Sequence, residues 1–212
     1  MYLKVSLIVS GSYVQVFVVE LSPKFHYNND TWIRKWVKKI QYTTEIRLVD
    51  FPLSTEFVPV SNIILDTSNR GTLIQFVPLI PKNIWEGTTE WNYIITFNDH
   101  IVKIGGTRTG LKGRTGSYLC GHHIRERGKS GDCSKTNGFL YNSILYYLMT
   151  GVDVKMYGNS LPKKTLHTFV YGEKKNIDVQ TFHIYEGVLL ERYKFEKGRY
   201  PILNDNSSPE TR

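Results

Sequence analysis

The spacing of apolar residues changes along this chain, and each change marks an element. Residues 3–9 and 13–21 are apolar runs that read as two strands turning at Ser10, Gly11 and Ser12. Over residues 30–41 the spacing becomes helical: Trp32, Ile33, Trp36, Val37 and Ile40 share one face, and Arg34, Lys35, Lys38 and Lys39 the other. That pattern predicts an amphipathic helix, whose basic side reads as a solvated face before it reads as a DNA-contacting one. Short apolar runs punctuated by Pro52, Pro59, Pro78 and Pro81 then predict strands and turns. Residues 1–88 thus form a β-rich accessory region with one helix, bounded by the stretch 86–90. Beyond it, residues 93–97 and 101–105 alternate as a hairpin, while the path to Arg114 is too rich in glycine for a strong helix expectation. Phe139, Leu140, Ile144, Leu145 and Leu148 predict a buried helix over 137–149, ending before Gly151. Residues 152–157 and 165–173 read as strands, and a last helix over 182–197 stops at Gly198 with Pro201 shortly beyond. Residues 205–212 read as a flexible tail.

Composition narrows the class. The 212 residues, 41% hydrophobic and 13% aromatic, can bury an ordinary core, so a soluble globular protein is expected. The apolar start of the chain is interrupted by serines, Gly11 and Gln15 and has no small-residue cleavage site, which speaks against a signal peptide. No run reaches the length of a membrane span. Two cysteines thirteen residues apart make no disulfide framework, which points to a reducing, intracellular (cytoplasmic) setting.

The formal charge of +8 is uneven. Residues 103–129 carry seven Lys/Arg against one Glu, whereas residues 1–88 carry nine against seven. A local concentration of this kind favours a polyanionic partner, because displacing counterions from phosphates drives sequence-independent binding; the plain alternative is a solvated basic face.

Candidate chemistry lies in the same stretch. Lys103 interrupts an apolar strand, where a half-buried ammonium is costly without a partner. Tyr93 stands ten residues before it and Arg114 eleven after. On the last helix Glu186 shares a face with Leu189, Leu190 and Tyr193, and Glu191 one with Ile184, Val188 and Phe195, so periodicity does not choose between the two carboxylates.

Asn92-Tyr93-Ile94 followed by Lys103-Ile104-Gly105, then Arg114 and the run from Glu186 to Leu190, resembles the GIY-YIG nuclease superfamily. It is most similar to the branch of small type II restriction endonucleases in which lysine replaces the second tyrosine. The stretches 117–121 and 131–137, and Pro201 with Asn204, share that resemblance, which covers residues 91–204. It implies an α/β (α+β) fold: a nuclease domain at 89–204 with a small antiparallel or mixed sheet flanked by helices. It also places a helix at Arg114 and selects Glu186, which precedes the paired aliphatics, as the metal carboxylate.

The implied function is sequence-specific hydrolysis of double-stranded DNA with one Mg²⁺ (or Mn²⁺) per active site, by a homodimer matched to a two-fold target. By the same analogy Tyr93 is the general base. A free phenol has a pKa of ~10 and needs help near neutrality, for which Lys103 is the candidate. Arg114 offers a planar fork to phosphate oxygens. Arg108, Lys112, Tyr118, Arg125, Arg127, Lys129, Lys135 and Asn137 are candidate DNA contacts. A homing or repair nuclease, or a non-catalytic DNA-binding protein on a decayed nuclease fold, are the alternatives. The branch often carries a histidine where this chain has Gly106. Cys120, His122, His123 and Cys133 carry zinc-type ligands at a spacing that matches no standard site, so packed thiols are the default.

One geometric expectation follows. Strand side chains alternate, so Tyr93 and Lys103 share a face only if the hairpin between them gains a residue. A plain two-residue turn at Asn98 and Asp99 pairs Ile94 with Lys103 and separates the two. The expectation is therefore a three-residue turn, 98–100, or an equivalent bulge, pairing Ile95 with Lys103. Tyr93, Ile95, Lys103 and Gly105 then line the site, with Ile94, Thr96, Val102 and Ile104 behind.

Overall fold

The computed structural model describes residues 4–10, 13–19, 40–68, 72–120 and 134–204. Strands β1 (Lys4–Ser10) and β2 (Tyr13–Val19) form an antiparallel pair, with Ser10 opposite Tyr13. They belong to a first compact unit, Met1–Lys38, and the rest of the chain, Lys39–Arg212, forms a second. Residues 30–39 of the expected amphipathic helix lie outside the described residues.

The second unit begins with three short 3₁₀ turns between Tyr42 and Glu56. It continues through β3 (Val58–Leu65), β4 (Ile74–Pro78), α1 (Lys82–Trp85), β5 (Trp91–Phe97), β6 (His100–Thr107), α2 (Gly110–Leu119) and α3 (Lys135–Met149). The last elements are β7 (Val154–Ser160), β8 (Lys164–Val170), β9 (Glu173–Val179) and α4 (Phe182–Lys197). Five strands make one sheet in the order β4-β3-β7-β5-β6, with every pairing antiparallel. Because β7 pairs with both β3 and β5, the sheet runs through the boundary expected at residue 88. Residues 58–78 therefore belong to the same sheet as the candidate site, not to a separate accessory region.

The sheet buries both faces, so alternate residues of β5 enter different cores. Tyr93, Ile95 and Phe97 pack with Leu111 and Tyr118 of α2 and with Leu140, Tyr141, Ile144 and Tyr147 of α3. On the other face Ile94, Ile101 and Ile104 pack with Leu189, Leu190 and Tyr193 of α4. Both helices sit close to where the pattern placed them. Ser134 caps α3, its hydroxyl accepting from the Asn137 amide at 3.1 Å, and α4 ends at Gly198 in the left-handed region, φ 79°.

Strand β6 is at the sheet edge, and other segments cover it. At one end Ile101 N donates to Ile46 O and Leu48 N to Asp99 O, both at 2.8 Å. At the other, the Asn204 amide pairs with Ile104 as a strand would: Ile104 N donates to Oδ1 at 2.8 Å and Nδ2 donates to Ile104 O at 2.7 Å. Covering an edge in this way satisfies its backbone groups and blocks pairing with another chain.

Residues 165–173, expected as one strand, are instead the first half of a hairpin. Tyr171 and Gly172, φ 51° and 82°, turn β8 back as β9, with Val170 opposite Glu173. Both strands are exposed along most of their length.

Candidate active site

The hairpin meets the geometric requirement by a bulge. Asn98 and Asp99, φ 45° and 64°, form a two-residue turn, and Phe97 pairs with His100. The three-residue turn is thus not formed. The register instead shifts after Thr96 pairs with Ile101, so that Ile95 faces Lys103 and Tyr93 faces Gly105. Val102, expected behind the sheet, packs in the core that holds Tyr93 and Ile95. It is the residue the bulge adds to β6, and a bulge leaves its extra residue unpaired and re-aims its neighbours.

Two glycines let groups from both faces approach the edge strand. A Cβ at Gly105 would overlap the Tyr93 ring and hydroxyl. At Gly106 a Cβ would lie 2.6 Å from Phe182 Cδ2 and 3.0 Å from both Asn92 Nδ2 and Glu186 Oε2. A histidine at Gly106 would have to displace all three. Tyr93 therefore covers one face of β6, and Glu186, one turn into α4, covers the other.

Arg114 lies on α2, its Nε donating to Tyr93 Oη at 2.8 Å and to Tyr118 Oη at 3.1 Å, while the two phenol oxygens hydrogen-bond each other. The guanidinium also lies over the Tyr118 ring, 4.6 Å from its centroid. Tyr118 is 1% exposed and its ring stacks on Phe76. It was expected to contact DNA, but its hydroxyl is turned inward and offers nothing to a groove. The sequence carries a signal for its place in the cluster: residues four apart on a helix share a face, and Tyr118 is four after Arg114.

Burial raises the Tyr93 hydroxyl above the ordinary phenol range, while the Arg114 charge and the Tyr118 hydrogen bond pull it back and Glu186 adds to the rise. The cation that favours the Tyr93 phenolate is thus Arg114. Tyr118 is raised further, by burial and by the Tyr93 oxygen. Burial opposes the charge on Arg114, but the two tyrosine oxygens outweigh it and hold the guanidinium more firmly protonated than usual. Lys103, 5% exposed, is lowered to about 8 by burial, with Glu186 opposing the shift and Arg114 assisting it. The four expected residues therefore lie in one electrostatic neighbourhood. Glu191, the other carboxylate on α4, accepts from the Tyr200 hydroxyl in an exposed contact, outside this group.

The remaining expected residues are less concentrated. Arg108 and Lys112 are exposed, and Lys112 pairs with Glu86 at 2.9 Å. Asn137 is half-buried and donates through Nδ2 to Ser117 O at 3.0 Å, tying α3 to α2. Lys135 is the first residue of α3. Arg125, Arg127 and Lys129 lie outside the described residues, as do His122, His123 and Cys133. Cys120 is half-buried, its Sγ donating to Ser117 O at 2.8 Å. Among the described residues no group of three or more His, Cys, Asp or Glu is placed to hold a metal. One carboxylate ligand, as Glu186 would supply, suits a hard cation that keeps most of its waters, not a zinc ion that needs several protein ligands.

A solved structure of restriction endonuclease HPY188I in complex with product DNA matches this chain at 23% identity, over 79% of this chain and 90% of that one, with a TM-score of 0.51. The chain shares that protein's fold. A mutant of bacteriophage T4 EndoII matches at 19% identity, over 69% of this chain and 94% of that one, with a TM-score of 0.46. No family model and no curated protein matches the chain. Among the described residues no helix is long and apolar enough to cross a membrane.

Proposed function

We propose that this protein is a divalent-metal-dependent endonuclease of the GIY-YIG type that cleaves double-stranded DNA, and that it serves as a type II restriction enzyme. The carrying observation is the Arg114 guanidinium held between the Tyr93 and Tyr118 hydroxyls, in the electrostatic neighbourhood of Lys103 and Glu186. That neighbour HPY188I was solved with product DNA gives the same direction.

Hydrolysis of a phosphodiester needs a positioned water, positive charge at the non-bridging oxygens and stabilisation of the departing oxygen. Tyr93 Oη accepts the proton of the attacking water, its phenolate favoured by Arg114. The guanidinium's other edge carries the donors that match phosphate oxygens. Lys103 adds a second cation against the same phosphate. Glu186 would hold one Mg²⁺ or Mn²⁺, which when bound stabilises the leaving 3′ oxygen. Cutting both strands of a two-fold target calls for two such sites, hence a homodimer. Arg108 and Lys112 supply phosphate contacts; Arg125, Arg127, Lys129 and Lys135 are further candidates for phosphate contact.

Incubation with mixed-sequence duplex DNA and Mg²⁺ tests the reading. Discrete product bands are expected. DNA that is bound but left intact would overturn it, and a DNA methyltransferase gene beside this one would favour restriction over homing or repair.

A further inference from the structure

The first turn of α4 is held by a residue outside the cluster. Glu90, just before β5, accepts through Oε2 from Thr181 N at 2.8 Å, Thr181 Oγ1 at 3.2 Å and Phe182 N at 3.1 Å. Thr181 occupies the N-cap position of α4 and makes no cap bond of its own, its hydroxyl being given to Glu90. A carboxylate from ninety-one residues away thus does the work of the cap, satisfying amides that a helix start leaves unpaired and placing negative charge at the positive end of the helix dipole. Two residues on, Asn92 Nδ2 donates to Phe182 O at 2.9 Å, and the Phe182 ring fills the space over Gly106. Glu186 lies one turn further along the same helix, its Oε2 over the same glycine.

The grip matters because of what enters α4. The helix follows directly from β9, whose hairpin with β8 is exposed along most of its length. Without an anchor at 181–182, movement of that hairpin would pass straight into the turn carrying Glu186. We propose that Glu90 is a positioning residue for metal binding: it fixes the first turn of α4 on β5, and so sets where the Glu186 carboxylate stands over Gly106 of β6. This rests on the reading of Glu186 as the metal ligand. Residues that orient a metal ligand without touching the metal commonly change its affinity by about 10–100-fold when lost.

Three measurements on the full chain test it, with Glu90→Ala and the milder Glu90→Gln. Hydrogen exchange should show the α4 amides at 183–187 exchanging at least about 10-fold faster in Glu90→Ala, with β5 and β6 unchanged. Mn²⁺ binding, followed by electron paramagnetic resonance with mixed-sequence duplex in the Tyr93→Phe background, should weaken about 10-fold in Glu90→Ala and less in Glu90→Gln. In the otherwise unaltered enzyme, the Mg²⁺ concentration for half-maximal cleavage should rise to match, with the rate at saturating Mg²⁺ within a few fold. Unchanged metal affinity and first-turn exchange in both variants would overturn the proposal. So would a loss of protection spread over β5 and β6 with metal affinity intact, since that is a purely structural cap. If the parent protein cleaves no DNA, the function proposed above fails; the exchange and Mn²⁺ measurements still decide the role of Glu90.

Discussion

Hairpins β5–β6 and β8–β9 both turn on two residues with positive φ, Asn98 and Asp99 in one, Tyr171 and Gly172 in the other. Both are antiparallel and similar in length. In the first, every residue of β5 is buried, a bulge re-aims β6, and backbone or side-chain partners cover the sheet edge. The second is regular in register, and leaves Leu166, Phe169 and Ile177 at 52%, 71% and 41% exposure. Turn chemistry is enough to make a hairpin. Making a site takes an enclosing environment, in which one irregularity decides which side chains meet and burial moves the acidity of each.

Substitutions can break that contrast, starting with the largest effect. Glu186→Ala should leave no detectable cleavage while DNA binding stays within a few fold, because the proposed metal ligand goes and the phosphate-neutralising surface remains. Glu191→Ala should cut normally; the reverse result would move the metal to the other face of α4. Tyr93→Phe should slow single-turnover cleavage by about 10²–10⁴-fold, the usual worth of a general base, and near-normal cleavage would remove Tyr93 from that role.

Gly105→Ala should destabilise the fold by about 1–3 kcal/mol in urea unfolding and impair cleavage, since the new methyl overlaps the Tyr93 ring. A stable, active variant would show that the close approach is not needed.

The pH profile gives a smaller and more informative effect. Lys103, lowered to about 8, gives up its proton before Tyr93, which burial raises. In the mechanism proposed above, the working state has a Tyr93 phenolate and a Lys103 ammonium, so it carries one proton less than the fully protonated pair. It shares that proton count with neutral Lys103 beside protonated Tyr93, and is populated only as this proton leaves. Single-turnover rate should therefore rise about tenfold per pH unit below about 8 and level off above it. A metal held by Glu186 would offset the field that raises Lys103 and so move the limb lower. A rate that falls through pH 8 would mean that both groups must stay protonated, which excludes Tyr93 as base.

The smallest effects belong to the exposed hairpin. Phe169→Ala and Ile177→Ala should each change stability by no more than about 0.5 kcal/mol, as surface substitutions generally do. A larger loss in dilute solution would show that the hairpin is packed in a way its exposure does not reveal.

Much of this protein could be read from the order of its residues. Period-two and helical spacing located β5, β6, α3 and α4 closely, because burial imposes its period on the chain wherever an element packs by one face. The residue types at 93, 103, 114 and 186 carried the candidate chemistry, and the parity of the turn posed the right question about Tyr93 and Lys103. Three things were settled only by the fold. The bulge was one of two local solutions that pair Ile95 with Lys103, and the turn residues Asn98 and Asp99 favoured the two-residue form. Tyr118 and Glu90 took their roles from contacts that depend on α2 lying over Tyr93 and α4 starting beside β5. The reach of the sheet past residue 88 came from β7, which is inserted between β3 and β5 although it follows both in the chain. Periodicity records which way a side chain faces within its own element; which distant element it meets, and so its charge state and chemical use, depends on packing between segments far apart in sequence.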